Sequence, residues 1–424
     1  MYNSGMDILI VGEGGREHAL VWKLKQSPKI KKIFVAPGNA GTAQLATNLP
    51  ISSTTEIIQW LKENRVGLVL VGPDNYLAEG IVDKLHKLKI PAFGPTKKAS
   101  RIEWSKVFAK NFMKEAGIPT ARYKTFRNLD QAKKYIRHQT FPLVIKASGL
   151  AFGKGVIIAG DIKEAEEALK DILNKKVFGD AGNEVVIEEY LEGREISVHA
   201  FCDGNDFALF PSSKDHKRAF EKDAGPNTGG MGTIAPVPGV TRKQMQEISE
   251  KVIRPTLDSL RKQGSPFKGI LFPGIMLTKE GPKVIEFNAR FGDPETQVYM
   301  LLLKSDLLDI LLACIKGDLK KHTIKWSKNS ASCVVCVSGG YPSNYVRGKV
   351  IRGLNTPKNK NEVIFHAGTK LVGNKVFTNG GRILGVAGVG RNLSKALLKS
   401  YTVIKSISFD GMRYRKDIGS SLVR

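Results

Sequence analysis

Lys283-Val-Ile-Glu-Phe-Asn-Ala-Arg-Phe-Gly-Asp-Pro-Glu-Thr-Gln297 reads as a strand running into a charged turn, and the chemistry of this chain is expected there. Successive side chains alternate across a strand, so Val284, Glu286 and Asn288 are expected on one face and Ile285, Phe287 and Ala289 on the other. At a rise of roughly 3.3 Å per residue, Glu286 and Asn288 lie about 6.6 Å apart along the backbone, close enough for a carboxylate and an amide to converge on one hard cation. Arg290 and Gly292-Asp293-Pro294-Glu295 follow at the end of the strand, where α/β proteins usually hold ligands. A strand with a polar outer face is the alternative, and it leaves the arginine and the two further acids unexplained.

Working outward, Leu143-Val-Ile-Lys146 leads through Ala-Ser-Gly149-Leu-Ala-Phe-Gly153-Lys154-Gly155 into an apolar run at 156–159. Two strands joined by a glycine- and lysine-rich loop can fold over a polyphosphate, offering backbone donors and a cation; a plain hairpin turn is the other reading. The loop is not a P-loop, because Gly149 to Gly153 is one residue short and Gly155 stands where a magnesium-binding Ser or Thr would be. Residues 184–190 make a further expected strand containing Glu188 and Glu189, with Leu191-Glu192-Gly193 and then Glu195-Ile-Ser-Val-His199 behind it. Lys214-Asp215-His216-Lys217-Arg218 is a charged loop, and Gly225-Pro-Asn227-Thr228-Gly229-Gly230-Met231-Gly232 is flexible enough to wrap a ligand. His216 could act as a general base; among two lysines and an arginine, an anion-binding or solvated residue is the preferred reading.

The first hundred residues alternate strand and helix. Asp7 to Val11 is a short apolar strand, followed by Gly12-Glu13-Gly14-Gly15-Arg16-Glu17-His18 and an amphipathic helix. Such a glycine-rich turn aims backbone N–H groups and a helix N-terminus at an anion, usually a phosphate. It is not the dinucleotide fingerprint: Glu17 occupies the third glycine position, and the second strand ends in Pro37-Gly38-Asn39-Ala40-Gly41-Thr42 with no acid for a ribose. A capping box at Ser53 and Glu56, a strand at 68–71, a helix through 88 and a strand at 90–93 complete a doubly wound parallel pattern. One helix is expected over 103–116. From about 326 the chain restarts with strands at 331–337, 363–366 and 382–389 and a last helix at 394–404; Gly380-Gly381-Arg382 and His366-Ala-Gly-Thr-Lys370 are possible substrate loops.

At 424 residues the chain is long enough for two to four domains, and 42% apolar with 25% charged residues is a globular composition. No apolar run reaches 18 residues and no signal peptide is read at the start, so no membrane partner is expected. Four cysteines suit a reducing compartment, and Cys333-Val-Val-Cys336 lies in an expected strand whose i and i+3 positions face opposite ways, against zinc or redox chemistry. The formal charge of +26 raises nucleic acid as a partner, but the lysines are scattered without aromatic interleaving. A generally basic surface that attracts phosphorylated small molecules is the better reading.

The glycine-lysine hairpin, the Glu188 strand and the Glu286/Asn288 strand, in this order, resemble an ATP-grasp ligase. The whole chain is similar to the phosphoribosylamine-glycine ligase (glycinamide ribonucleotide synthetase) family, through Gly12-Glu-Gly-Gly-Arg-Glu-His18, Val35-Ala-Pro-Gly-Asn-Ala-Gly-Thr42, Asp215-His-Lys-Arg218, Gly225-Pro-Asn-Thr-Gly-Gly-Met-Gly232, Ile285 to Gln297, His366-Ala-Gly-Thr-Lys370 and Arg415-Lys-Asp-Ile-Gly419. Ser148 and Phe152 depart from the family's usual Asp and small residue. The resemblance implies an α/β and α+β multidomain protein: a doubly wound N-terminal domain over 1–103, an ATP-grasp domain over 104–325 with a lid at about 122–190, and a small β-rich α+β C-terminal domain over 326–424. It further implies that Lys106, Lys146 and the loop of Gly149, Gly153, Lys154 and Gly155 meet the phosphates of ATP, that Glu188, Glu189 and Leu191 meet adenine, and that Glu195 holds the ribose. Glu286 and Asn288 would bind Mg2+ (or Mn2+), and Arg290 and Asp293 would be catalytic. Gly14, Gly15, Arg16, Asn39, Gly41, Thr42, Asp215, Lys217, Arg218, Asn227, Thr228 and Gly229 would bind glycine and 5-phosphoribosylamine. Glycinamide ribonucleotide, ADP and phosphate would form through glycyl phosphate in purine biosynthesis, in a cytoplasmic monomer with no nucleic-acid partner.

Overall fold

The apolar runs of the first hundred residues feed two cores because their side chains alternate. Strands β1 (Met6–Gly12), β2 (Ile30–Pro37), β3 (Thr47–Asn48), β4 (Leu68–Val71) and β5 (Ala92–Phe93) form one parallel sheet in the order β3-β2-β1-β4-β5. Ile8 and Ile10 pack under helix α1 (Gly15–Leu24), whereas Leu9 and Val11 pack under α2 (Thr54–Glu63) and α4 (Ile81–Lys87) on the other face. This is the doubly wound arrangement expected. The expected helix up to residue 88 is divided at Gly80, whose φ of +80° ends α3 (Asp74–Glu79) before α4 starts. The structure is a computed structural model and describes residues 5–150, 155–355 and 361–423. Among these no helix is long and apolar enough to cross a membrane.

The single helix expected over 103–116 is two, α5 (Arg101–Trp104) and α6 (Lys106–Glu115). Ser105 between them is extended, and its hydroxyl accepts the Phe108 N–H as the N-cap of α6. The break sets Lys106 at the first turn of α6 and turns Glu103 inward.

Beyond it, β6 (Tyr123–Phe126), β7 (Leu143–Ala147), β8 (Val156–Ala159) and β9 (Val185–Glu189) form an antiparallel sheet ordered β6-β9-β7-β8. Helices α7 (Leu129–Ile136) and α8 (Ile162–Leu169) close a small core of their own with it. A second sheet follows the order β10 (Arg194–Ser197), β17 (Lys268–Thr278), β11 (Ala200–Asp203), β12 (Phe207–Leu209), and β18 (Gly281–Asn288) pairs with β17. Helices α9 (Arg242–Ile248) and α10 (Arg254–Lys262) cover this sheet.

The β18 strand corrects the simple alternation. Gly274 of β17 faces Glu286 and Ile275 faces Val284, so Ile285 is the extra residue of a bulge. Val284 therefore joins Phe287 and Ala289 in the core instead of sharing a face with Glu286. The bulge lets three apolar residues at irregular spacing stay buried while Glu286 and Asn288 stay partly exposed outside that core.

The last sheet, in the order β13 (Lys214–Asp215), β16 (Gly232–Ala235), β19 (Ser330–Val337), β23 (Arg382–Gly390), β20 (Glu362–His366), takes its first two strands from upstream of residue 326. Between β13 and β16 lies the hairpin β14 (Arg218–Phe220) and β15 (Ala224–Asn227), and β21 (Thr369–Val372) pairs with β22 (Lys375–Thr378). Cys333 and Cys336 are fully buried on opposite faces of this sheet, in different cores, with their thiols pushed up by burial, that of Cys336 to about 12. Helices α11 (Glu295–Leu302) and α12 (Leu307–Lys316) lie in a core shared with β1, α1, β19 and β20. Helix α13 (Leu393–Ile404) closes the far side.

Candidate active site

Lysines, carboxylates and one arginine converge where β7, β9 and β18 end. Lys146 on β7 sits 2.9 and 3.0 Å from the two oxygens of Glu188 and donates to the Ile285 carbonyl at 2.9 Å. Lys110, one turn beyond Lys106, meets the same carboxylate at 3.0 Å. All three are buried, and burial lowers the Lys110 ammonium to about 8. Lys106 donates to the Gly149 carbonyl at 3.1 Å, and its pKa too is lowered by burial. Lys217 bridges Glu195 at 2.7 Å and Glu286 at 3.3 Å. Burial raises the Glu286 carboxyl, but Lys217, Lys146 and Lys106 outweigh it and hold the group at about 2. The same two acids keep Lys217 charged against its burial. Asn288 Oδ1 accepts a hydrogen bond from Arg290 at 3.2 Å.

Arg290 is fixed from several sides. It donates to the Phe291 carbonyl at 3.2 Å, lies 5.9 Å from the Phe272 ring centroid and pairs with Glu103 at 3.2 Å. Glu103 also accepts the Ala289 N–H at 2.8 Å. The cluster thus combines a row of cations with an ionised carboxylate and an amide oxygen, a combination able to hold and polarise a polyphosphate.

The turn after β18 meets the N-terminal glycine turn. Asp293 accepts from the Arg16 N–H at 3.4 Å and from Gln297 at 2.9 Å, while Arg382 lies 3.7 Å from its carboxylate. Burial raises Asp293, but Arg382 and Arg16 win and hold it below the usual carboxylate range. The approach needs glycine: a Cβ on Gly14 would sit 2.9 Å from Asp293, and one on Gly15 would sit 2.6 Å from Gln297. Arg382 donates to the carbonyls of Gly229 and, at 2.7 Å, Asp293, clasping the 225–232 loop to this turn. Arg16 is oriented by Glu17 and donates to the Phe291 carbonyl at 3.1 Å.

Several residues expected to meet substrate make hydrogen bonds within the protein. Asn39 donates to the carbonyls of Glu13 at 2.7 Å and His366 at 2.9 Å, and it receives the N–H groups of Gly41 and Thr42. Thr42 is fully buried and hydrogen-bonded to Asn39 and Asn48. Gly41 lies against the His18 ring. Thr228 donates to the Lys217 carbonyl and accepts from Gly230. Arg218 turns to the Gly225 carbonyl across from Asn227, in the β14–β15 hairpin. Glu189 pairs with Arg122 at 2.6 Å, away from Glu188, because adjacent strand residues face opposite ways. Leu191 is half-buried just after β9. Asp215 has one buried oxygen without a partner, and burial with nearby Glu295 pushes its carboxyl well up. Gly155 accepts the Ala147 N–H; Gly153 and Lys154, and with them Phe152, lie outside the described residues.

His216 is neither solvated nor free to bind an anion. It is buried, its Nε2 accepts the Gly419 N–H at 3.1 Å, its Nδ1 lies 3.0 Å from the Gly232 carbonyl, and burial lowers it to about 4. Ser148 takes a capping position instead, accepting the Val107 N–H at 3.3 Å and, on its carbonyl, that of Lys106 at 2.8 Å. Sequence reasoning missed Glu103, Lys110 and Gln297. The i,i+4 spacing of Lys106 and Lys110 on one helix was an available signal; Glu103 had none.

Comparison with known proteins gives a consistent outcome. Three family models match in succession: phosphoribosylglycinamide synthetase N domain over residues 6–103, its ATP-grasp (A) domain over 104–296 and its C domain over 331–421. A phosphoribosylamine–glycine ligase of Caldanaerobacter subterraneus subsp. tengcongensis is 46% identical over 98% of this chain and 100% of its own length. A trifunctional purine biosynthetic protein of Gallus gallus is 48% identical over 97% of this chain, which spans 42% of that longer protein. The crystal structure of a phosphoribosylamine–glycine ligase from Thermotoga maritima superposes with a TM-score of 0.86 at 33% identity, covering 97% of this chain and all of that one. A Hydrogenobacter thermophilus biotin carboxylase domain solved with MgADP shares the fold alone, at a TM-score of 0.76 and 15% identity over 96% of this chain and 91% of that one.

Proposed function

The chain belongs to the phosphoribosylglycinamide synthetase family, and from that membership we propose how its site carries out the reaction. It is a phosphoribosylamine–glycine ligase of purine biosynthesis, joining glycine to 5-phosphoribosylamine at the expense of ATP. A carboxylate and an amine do not condense in water, so the carboxylate first needs a leaving group. Glycine's carboxylate oxygen attacks the γ-phosphorus of ATP and ADP departs, leaving glycyl phosphate. The amine of 5-phosphoribosylamine then attacks the carbonyl carbon, the C–O bond to phosphate breaks, and the amine loses a proton to give glycinamide ribonucleotide and phosphate.

Phosphoryl transfer asks the protein for positioning and charge neutralisation. In this reading Lys106, Lys146 and the 149–155 loop take the phosphates, Glu188 to Leu191 the adenine and Glu195 the ribose. Lys217, tied to Glu195 and Glu286, belongs with this nucleotide set more than with the acceptor substrates. Arg290 steadies the transferring phosphate. Asp293, between Arg16 and Arg382, serves with Gly14, Gly15 and Gly229 on the side of glycine and 5-phosphoribosylamine. The hydrogen bonds of Asn39, Thr42 and Thr228 support shaping of that side more than direct contact.

The family binds ATP with Mg2+, and the residues fit such an ion. Glu286 and Asn288 are hard oxygen donors, and Glu286 stays ionised. Among the described residues no group of three or more His, Cys, Asp or Glu is arranged for a metal, which leaves further positions to phosphate oxygens and water. Bound there, Mg2+, or Mn2+ in its place, supplies charge neutralisation at the phosphates. The working division remains 1–103, 104–325 with a lid at about 122–190, and 326–424. A monomer is the working unit of this reading, in which the named nucleotide-side and acceptor-side residues of one chain converge, and four buried free cysteines support a cytoplasmic setting.

The observation that carries this mechanism is the convergence of Lys106, Lys146, Lys217 and Glu286. The test is ADP release by the purified protein: it should require glycine and 5-phosphoribosylamine together. Turnover with a different acid or amine, and none with this pair, would refute it.

A further inference from the structure

We propose that Glu103 is a positioning residue for the ligation: from the short helix joining the N-terminal sheet to the central domain, it fixes the guanidinium of Arg290 at the end of β18. This rests on the reading of Arg290 as the group that steadies the transferring phosphate. Glu103 has a side chain only 7% exposed and divides its two oxygens between adjacent residues of one strand end. One lies 3.2 Å from Arg290 Nε, and the other accepts the backbone N–H of Ala289 at 2.8 Å. Strand end and side chain are thereby held by a single carboxylate. The remaining guanidinium contacts, to the Phe291 carbonyl and Asn288 Oδ1 at 3.2 Å each, complete the orientation. A guanidinium on a flexible stem, placed against a moving phosphate, gains its rate effect from being held before the reaction begins.

The local sequence serves this contact. Ser105 breaks what would be one helix, so α5 ends at Trp104 and its buried face presents Glu103 to residue 289. The arrangement is costly as a stabilising device, because burial raises the Glu103 carboxyl to about 7 even with Arg290 beside it. A well-packed apolar pair would stabilise the fold at least as well as a buried ion pair, so orientation is what the pair supplies.

Glu103→Gln keeps an acceptor for Ala289 N–H and removes the charge facing Arg290. Thermal melting, affinity for a non-hydrolysable ATP analogue with Mg2+, and steady-state kinetics in all three substrates are measured for wild type, Glu103→Gln, Glu103→Asp and Arg290→Ala. The expected result is a kcat about 10²-fold lower for Glu103→Gln, with analogue affinity unchanged and melting within a few degrees of wild type. Glu103→Asp, which retains the charge, should recover most of that loss. A kcat for Glu103→Gln close to wild type would overturn the proposal, and so would a loss that follows analogue affinity and melting temperature together. If the Gln variant does not fold, Glu103→Asp decides by its residual defect: the shorter side chain cannot hold Arg290 Nε and the Ala289 N–H as Glu103 does, so a kcat lowered several-fold at unchanged analogue affinity supports the role, and a kcat equal to wild type overturns it. A silent Arg290→Ala would instead sink the reading of Arg290, so the two failures are distinct.

Discussion

Glu286 is a carboxylate raised by burial but held at about 2 by three lysines that also suit a triphosphate. Its charge is therefore available to a divalent ion throughout the neutral range. Glu286→Ala should lower Mg2+-dependent turnover by about 10³-fold or more, the scale of removing a preorganised electrostatic contact at the reacting centre. Circular dichroism and melting should remain close to wild type, because the side chain is partly exposed and outside the apolar core. Near wild-type activity with unchanged metal dependence would refute the assignment. Lys217 shows the limit of local reading: its loop looks like a substrate loop, yet its ammonium ends between Glu195 and Glu286, residues 22 and 69 positions away.

Among the elements, β18 and the 225–232 loop decide the geometry. The bulge at Ile285 keeps Val284, Phe287 and Ala289 inside while Glu286 and Asn288 face out, which a strict period of two cannot do. Alternation was legible in the sequence; the bulge was not, since it follows from register with β17. Gly230 holds the loop against the Asp293–Pro294 turn with φ at +113°, and a Cβ there would lie 2.5 Å from Pro294 and 2.7 Å from Asp215. Gly230→Ala should therefore cost about 1–3 kcal/mol of local strain. It should also raise the KM for glycine or 5-phosphoribosylamine well above its effect on the KM for ATP, and equal changes in all three would show that the loop does not serve the acceptor side.

Over the whole molecule, buried neutral histidines sit at the seams of the C-terminal sheet. His18 accepts the His366 N–H at 2.8 Å, and His216 accepts that of Gly419. Burial lowers His18 to about 3 and His216 and His366 to about 4. Unfolded histidine takes up its proton near 6.5, so between that pH and about 4 the unfolded chain binds more protons and these contacts lose value as pH falls. Burial raises Glu103, Asp215 and Glu295, which act in the opposite direction, so the measurement is a difference. His216→Gln should melt several degrees below wild type at about pH 8, and the gap should narrow towards about pH 5. A gap independent of pH would show that His216 is not held neutral. Period-two apolar runs, glycine turns and the Lys283 to Gln297 stretch were enough to determine, from sequence alone, a doubly wound N-terminal sheet, the opposed cysteines and the Glu286/Asn288 pair, because each depends on spacing within one segment. Only the tertiary structure decided that Glu103 grips Arg290, that Arg382 clasps two loops, that His216 meets Gly419 and that Asn39 meets His366, because each of these is a contact between segments far apart in the chain, whose meeting is set by how the sheets share a core.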